Sequence, residues 1–315
     1  MLGIVIPAYN RSDCLREALN SLTCQTNKKF FAVVVDDCST EDIQSVVNEF
    51  NDKLHTVYLR QETNQGPGAA RQRGLEWVSE HNMDLIMFMD SDDMLYPNAV
   101  DRLTREINRG MKDVVSSGIY QEEKLKSGFN LPANNKTWLH GKIYRTKYLI
   151  NNNINFPNIR TNEDLAFNLK AILFTKKAGY IEENLYLFRD DSRSITRNKE
   201  EKNYHKIFSY DHILAIYDAV KFFQEKNIAM PEQLKVDIIS LYNAYQIGLC
   251  LYENLNEEIC LITKQMIKLS EIQEIFNNPK LLKYYTGIPK QIMVHKGEVF
   301  WFKQTFKDWI EEMSK

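Results

Sequence analysis

The sequence predicts an α/β fold built on a mainly parallel sheet. Strand-like apolar runs alternate with helical patterns four times within the first ninety residues. Two runs end in acidic clusters, Asp36 with Asp37 and the stretch 90–93, and one connection, QGPGAA at 65–70, is rich in glycine. Such alternation gives βαβ units with right-handed crossovers, and ligands of open α/β sheets bind beyond the carboxyl ends of the strands. We therefore expect all three features at one edge of the sheet, as parts of one ligand site.

Apolar periodicity assigns the elements in order. Strands are predicted at 2–6, 30–35, 55–60 and 85–89, and helices at 11–25, 42–50, 69–80 and 98–109. Further along, strands are predicted at 113–120 and 180–189, a strand or turn passing into a helix at 138–151, and a helix at 165–175. The polar, lysine-rich stretch 121–135 is expected to form a mobile loop that projects from the domain.

From about residue 199 the pattern changes to helices with almost no glycine, at 204–224, 231–255 and 257–276. The sequence therefore predicts an α/β domain over 1–200 and a helical C-terminal region over 201–315. Aromatic residues at 300–302, 306 and 309 lie among lysines at 296, 303 and 307, as in helices at membrane surfaces. Acids at 298, 308, 311 and 312 dilute this basic face. Packing against the domain or in a homo-oligomer is the first expectation, peripheral membrane contact the second, and a part in acceptor binding remains open.

Composition excludes several classes of protein. The net charge of −2 lacks the basic excess of a nucleic-acid-binding protein, and 43% hydrophobic residues permit a sizeable core. The five cysteines show no CxxC spacing, and their odd number suits reduced thiols. No run approaches the ~18 apolar residues of a spanning helix, and the N-terminus lacks the features of a signal peptide. We expect a cytoplasmic protein without nucleic-acid partners, whose membrane contact, if any, is peripheral on the inner face of the plasma membrane.

The acids of MDSDD, at 89–93, follow the buried run directly. Three carboxylates in four positions raise one another's pKa unless a positive group lies among them. Hard oxygen donors suit Mg²⁺ or Mn²⁺, and a cation held by one or two carboxylates together with phosphates is a common arrangement. The alternative is an acidic turn in which Asp93 caps the next helix.

Four segments carry a resemblance to a known family, in order and spacing as well as in sequence. IVIPAYNRSDCLREALNSLTCQT, VVVDDCSTED, NQGPGAARQRGLEW and MFMDSDD resemble the family 2 glycosyltransferases with a GT-A fold, over roughly residues 2–200. The later segments GKIYR, NEDLAF and YLFRDDSRSIT also fit. The resemblance is greatest to bacterial enzymes that build capsule, teichoic acid or lipopolysaccharide sugars, some of which carry a helical C-terminal extension. The chain departs from the family at Gln72, where asparagine is usual.

The resemblance implies an inverting, metal-dependent hexosyl- or N-acetylhexosaminyltransferase that moves a sugar from a UDP-sugar to a glycan or lipid-linked acceptor. Tyr9 would pack against the base, Asp37 would accept the uracil N3–H, and Arg71 would reach the base or the phosphates. The whole implied nucleotide-sugar site consists of Pro7, Ala8, Tyr9, Asp37, Gly68, Arg71, Asp90, Ser91, Arg193 and Ser194.

The resemblance also implies the ligands of the cation and the catalytic group. Asp92 would bind Mn²⁺ or Mg²⁺ together with Asp90, which also holds the ribose hydroxyls. Asp164 would be the catalytic base, oriented by Glu163. Arg193 and Ser194 would close over the diphosphate.

Each assignment has a structural alternative. Asp37 could cap a helix, Glu163 and Asp164 could be first-turn helix acids, and His140 beside Trp138 could be structural instead of facing the acceptor or the metal. Two other functions are open. A nucleotidyltransferase making sugar nucleotides uses the same carboxylates and Mg²⁺ but normally has a glycine- and arginine-rich loop after its first strand, which residues 7–11 are not. A catalytically inactive sugar-binding or scaffolding module would not need the acids at 90, 92 and 164.

Overall fold

The computed structural model describes residues 1–122, 128–135, 137–189, 204–235, 237–238, 241, 245, 257–269, 272–273, 292–295, 298–301 and 306–314. The chain forms two compact units. The first consists of residues 1–160 and 167–197, and the second of residues 161–166 and 198–315. The predicted domain boundary at residue 200 stays a prediction.

The first unit begins with the predicted alternation of strands and helices. Its elements are β1 (Leu2–Ala8), α1 (Ser12–Thr23), β2 (Phe30–Asp36), α2 (Ile43–Asn48), β3 (His55–Arg60), α3 (Pro67–Glu80), β4 (Leu85–Phe88), β5 (Met94–Leu95), α4 (Ala99–Asn108), β6 (Val114–Gln121), β7 (Phe129–Leu131), β8 (Lys142–Arg145), α5 (Thr146–Asn151), α6 (Glu163–Phe174), whose first four residues belong to the second unit, and β9 (Ala178–Phe188). The predicted strands and helices of this part are confirmed to within a few residues. The short strands β5 and β7 were not predicted.

The strands form one sheet in the order β3–β2–β1–β4–β8–β6–β9–β5, with β7 paired to β6. The strands β3, β2, β1 and β4 are parallel. The next strand, β8, runs antiparallel to both β4 and β6, while β6 and β9 are parallel. The sheet is therefore mixed, with its parallel half built from the first ninety residues.

The carboxyl ends of β1, β2 and β4 lie at the same edge of this parallel half, as the sequence predicts. Pro7 lies at this edge. The backbone polar groups of Pro7, like those of Val5, are directed towards β4 and away from β2. The backbone of Val5 accepts a hydrogen bond from Met89 at 3.0 Å, and the β1–β4 pairing ends at Phe88. The sheet therefore loses no hydrogen bond from the missing N–H of Pro7, because no strand pairs with it on that side.

Helix α3 packs unusually closely on β1. A Cβ at Gly74 would lie 2.3 Å from a methyl group of Val5, and one at Gly3 would lie 2.4 Å from a methyl group of Val78. Only glycine permits this approach, because both neighbours are stiff β-branched side chains. The close contact fixes α3 over the sheet and so determines where Arg71, one turn before Gly74, presents its guanidinium.

The second unit contains helices α7 (Tyr204–Glu225), α8 (Glu257–Ile267) and α9 (Phe306–Ser314), and an antiparallel pair of strands, β10 (Ile292–His295) and β11 (Glu298–Trp301). The two strands depart from the predicted all-helical region. The predicted helix at 231–255 lies largely outside the described residues. Trp309 is fully buried, with its ring centroid 6.0 Å from that of Tyr245. This aromatic residue therefore belongs to the core of the unit. No helix of the described part of the chain is long and apolar enough to span a bilayer.

Candidate functional site

Asp36, the last residue of β2, is a fully buried structural carboxylate. It accepts hydrogen bonds from the Tyr58 hydroxyl at 2.7 Å, the Arg60 guanidinium at 2.5 Å and the backbone N–H of Ser39 at 2.8 Å. All these partners belong to β3 or to the loop after β2. Asp36 therefore links the end of β2 to the end of β3.

Asp37 organises the glycine-rich turn. Its Oδ1 accepts from the Gln61 side-chain amide at 2.6 Å and from the backbone N–H of Gln65 at 2.8 Å, and its Oδ2 accepts from the backbone N–H of Gly66 at 2.8 Å. Burial raises the pKa of Asp37, while these hydrogen bonds oppose the rise. The helix-cap alternative is wrong, because the next helix begins at Ile43 and is capped by Asp42.

Arg71 and Asp90 form a partly buried ion pair at the sheet edge. The guanidinium donates to Asp90 Oδ1 at 2.6 Å, and the arginine side chain is only 6% exposed. Burial by itself would raise the pKa of Asp90, but Arg71 and His140 outweigh it and hold that pKa well below its ordinary value. Asp90 is therefore an ionised carboxylate at neutral pH.

The departure at Gln72 has a packing explanation. Its side-chain oxygen accepts a hydrogen bond from the backbone N–H of Phe156 at 3.1 Å, and its amide nitrogen donates to Glu76 at 3.1 Å. The side chain thus links α3 to the segment before α6. Glutamine has a longer side chain than asparagine, which lets its amide oxygen reach this backbone partner.

Asp92 pairs with Arg11, which the sequence analysis did not assign to the site. One guanidinium nitrogen of Arg11 lies 2.5 Å from Asp92 Oδ2, and each side chain is 16% exposed. Burial and the nearby charge of Asp90 raise the pKa of Asp92, and Arg11 opposes that rise. Three acids in four positions require positive partners. The arginines that follow β1 and β3 in the sequence, Arg11 and Arg71, were therefore the signal that could have identified this pair.

Asp93 is buried and does not cap a helix. Strand β5 follows it directly, and α4 begins later, after Asn98. Its Oδ2 accepts the Tyr186 hydroxyl at 2.6 Å and its Oδ1 accepts the backbone N–H of Arg189 at 3.0 Å. Burial raises the pKa of Asp93 to about 8, against the opposing effect of His140. The residue thus joins the acidic turn to β9 and to the residue that follows it.

His140 lies between two of the acids. Its Nε2 is 3.1 Å from Asp90 Oδ2 and 3.7 Å from Asp93 Oδ2. Three aromatic rings surround the imidazole, with centroids 5.6, 5.1 and 5.2 Å from its own: those of Trp138, Tyr186 and Phe188. These rings fix the imidazole at the acids.

Asp90, Asp93 and His140 offer ligand atoms that all lie within 4.8 Å of one another, the one such group among the described residues. Two carboxylates and an imidazole are a donor set that fits a divalent transition cation such as Mn²⁺. The predicted pair was Asp90 with Asp92. Asp90 is common to both sets, whereas the carboxylate of Asp92 is held by Arg11.

We expect Tyr186→Phe to destabilise the protein more than a typical loss of a tyrosine hydroxyl. This hydroxyl serves two partners, donating to Asp93 and accepting from the backbone N–H of Asp90 at 3.2 Å. Leaving both buried groups short of a partner should lower the free energy of unfolding by about 1–3 kcal/mol. Tyr148→Phe is the control, because that hydroxyl has a single neutral partner, the carbonyl of Ala171 at 2.8 Å. Equal losses in urea unfolding would contradict the prediction.

The remaining predicted residues fall into three groups. Pro7, Ala8, Gly68 and Ser91 are buried around the sheet edge, while Tyr9 is 46% exposed just beyond β1. Glu163, buried, and Asp164, half-buried, occupy the first turn of α6 in the second unit, as their structural alternative also predicts. Arg193 and Ser194 lie outside the described residues.

Comparisons with known proteins identify the family and the fold of the chain. The family model "Glycosyl transferase family 2" matches residues 3–162. The poly(ribitol-phosphate) beta-N-acetylglucosaminyltransferase TarS of Staphylococcus aureus is 30% identical over 202 residues, which are 59% of this chain but only 35% of the relative. The GalNAc(5)-diNAcBac-PP-undecaprenol beta-1,3-glucosyltransferase of Campylobacter jejuni is 28% identical over 63% of this chain and 68% of its own length.

A crystal structure of TarS residues 1–349 with UDP-GlcNAc superposes with a TM-score of 0.59 and 20% identity, covering 96% of this chain and 97% of that one. The likeness confirms the predicted GT-A fold.

Proposed function

The chain belongs to glycosyl transferase family 2, and from this membership we propose that it is an inverting, metal-dependent glycosyltransferase using a UDP-sugar donor. The observation that carries the proposal is the meeting of the four family segments at one sheet edge. Asp37 holds the glycine-rich turn through Gly66, Arg71 holds Asp90, and Arg11 holds Asp92. A nucleoside diphosphate-sugar needs such an edge, with groups for a base, a diphosphate and a cation.

The base would lie between β1 and the glycine-rich turn. Tyr9 is exposed at the end of β1, where its ring can pack on a pyrimidine. The carboxylate of Asp37 has about four lone-pair sites, and its three hydrogen bonds leave one on Oδ2. That site suits an N–H donor such as uracil N3–H, which distinguishes uracil from cytosine.

The diphosphate would lie over the acids at the end of β4. A divalent cation held there by Asp90 and Asp92, with Asp93 and His140 beside them, would neutralise charge on the departing diphosphate. Arg71 keeps Asp90 ionised and in place. Pro7, Ala8, Gly68 and Ser91 supply backbone and small side chains that permit close approach to the nucleotide.

The transfer itself needs a base for the acceptor. The acceptor hydroxyl oxygen forms a bond to the anomeric carbon, the bond from that carbon to the diphosphate oxygen breaks, and the hydroxyl proton passes to Asp164. A single displacement of this kind inverts the anomeric configuration. Asp164 lies in the first turn of α6, and Glu163 beside it is the positioning residue.

The relatives indicate the class of acceptor. TarS is named for a poly(ribitol-phosphate) acceptor and the Campylobacter enzyme for a saccharide on undecaprenyl diphosphate. We infer a glycan or lipid-linked acceptor in bacterial surface polysaccharide synthesis. For the C-terminal region we propose one of three roles: acceptor binding, homo-oligomer formation or peripheral contact with a membrane.

The experiment that tests this function measures UDP release from a panel of UDP-sugars, including UDP-GlcNAc, with Mn²⁺ or Mg²⁺ and with EDTA. Donor hydrolysis that EDTA abolishes supports the transferase. Formation of a UDP-sugar from UTP and a sugar 1-phosphate would favour the nucleotidyltransferase instead. Binding of donors without any turnover, including in the presence of undecaprenyl-linked or ribitol-phosphate acceptors, would favour the inactive module.

A further inference from the structure

The two arginines at the acidic turn are held differently. Arg71 projects from inside α3, is 6% exposed, and pairs with Asp90, whose other oxygen lies 3.1 Å from His140. Arg11 lies in the loop between β1 and α1, with backbone angles outside the helical region, and is 16% exposed. Arg71 is therefore fixed by the helix that bears it, whereas Arg11 is the N-cap residue of α1, so a change of its side-chain rotamer leaves that helix in place.

Arg11 pairs with the carboxylate that the proposed function assigns to the cation. A guanidinium nitrogen 2.5 Å from Asp92 Oδ2 occupies the position that a divalent cation would take on that oxygen. Two positive groups so close together in a mostly buried site repel strongly. Binding of the cation to this oxygen of Asp92 therefore requires Arg11 to withdraw.

Withdrawal is unfavourable unless Arg11 gains another anionic partner. Separating a largely buried ion pair costs the attraction between its two members. A diphosphate supplies the compensation, because guanidinium binds phosphate oxygens through paired charge-assisted hydrogen bonds. Arg11 follows Tyr9 by two residues, so the loop that would contact the base also carries the group that would contact the diphosphate.

We propose that Arg11 is a built-in counter-ion that competes with the cation for Asp92 and transfers to the diphosphate when the donor binds. This inference rests on the proposed function. Arg11 makes the cation and the nucleotide bind together, each raising the affinity of the protein for the other. Couplings of this type are typically about 5- to 150-fold and are reciprocal.

The test is a Mn²⁺ titration followed by the electron paramagnetic resonance signal of free Mn²⁺, with and without UDP. In the wild-type protein, UDP should raise the affinity for Mn²⁺ by about 5- to 150-fold. In Arg11→Met, Mn²⁺ alone should bind about 10-fold more tightly, and the enhancement by UDP should shrink by a similar factor. Arg16→Met is the matched control, because Arg16 lies on α1 and pairs with Glu49 in an exposed ion pair. It should behave as wild type.

An unchanged or weaker affinity of Arg11→Met for Mn²⁺ alone would overturn the role of Arg11 without touching the proposed function. Absence of Mn²⁺ binding to the wild type, even with UDP, would overturn the cation site of the proposed function and this inference with it. Thermal melting checks the fold of each variant. If Arg11→Met does not fold, Arg11→Lys decides: it keeps the competing charge, so the enhancement by UDP should persist, and its disappearance would contradict the mechanism.

Discussion

Replacing Asp92 with alanine is expected to lower the affinity for UDP in the presence of Mn²⁺ by about 5- to 150-fold, which is the whole of the enhancement that Mn²⁺ gives. Even partners that only orient metal ligands typically cost about 10- to 100-fold in metal affinity when they are lost, and Asp92 is assigned as a ligand itself. The variant also removes the carboxylate that holds Arg11 beside the proposed cation site. UDP binding measured in EDTA should therefore not fall, because Arg11 no longer has to leave Asp92 to reach the diphosphate.

Asp101→Ala is the control for this prediction. Asp101 lies in the first turn of α4 and pairs with Arg105 at 3.0 Å, so its loss removes one carboxylate of the same unit outside the acidic turn. It should leave UDP binding unchanged with either Mn²⁺ or EDTA. Mn²⁺-dependent UDP binding that survives in Asp92→Ala would show that the cation binds through other residues, and Asp90, Asp93 and His140 would then be the candidates.

Replacing Asp164 with asparagine is expected to lower the turnover number by about 10²- to 10⁴-fold, the usual contribution of a general base. UDP affinity should stay within about 2-fold of wild type, because the proposed role of Asp164 is proton removal from the acceptor, outside the nucleotide site. Measuring turnover with saturating donor and acceptor, together with calorimetric UDP binding, separates the two effects.

The control for Asp164→Asn is Glu257→Gln. Glu257 is an exposed acid in the first turn of α8, in the same unit, so it has the same relation to a helix dipole without the proposed chemistry. Loss of a first-turn acid alone costs about 0.3–1 kcal/mol of stability and no turnover. If Asp164→Asn behaves like this control, Asp164 is a helix acid and the base must be another residue.

The parallel half of the sheet could be predicted because its signals are local. Each strand is a short apolar run, and alternation with helices fixes right-handed crossovers, so β1, β2 and β4 had to end at one edge. The acids follow the ends of β2 and β4 in the sequence, the glycine-rich turn follows the parallel strand β3, and the structure places them together at this edge. The insertion of β8 between β4 and β6 could not be predicted, since periodicity describes a strand and not its neighbour.

The side-chain hydrogen bonds and ion pairs of the site could not be predicted from the sequence. Asp37 and Asp93 have the residue type and position of helix caps, but their carboxylates bind Gly66 and Tyr186, from distant parts of the chain. Likewise, Arg11 and Asp92 are 81 residues apart. Such contacts depend on where the fold places a flexible side chain, which local pattern does not record.

The measurement that tests the central claim most directly is calorimetric titration of UDP into the wild-type protein, once with Mn²⁺ and once with EDTA. The account predicts saturable 1:1 binding with Mn²⁺ that is weakened by about 5- to 150-fold in EDTA, since cation and diphosphate share the edge formed by Arg11, Asp90 and Asp92. No binding of UDP under either condition would contradict the assignment of this edge as a UDP-sugar site.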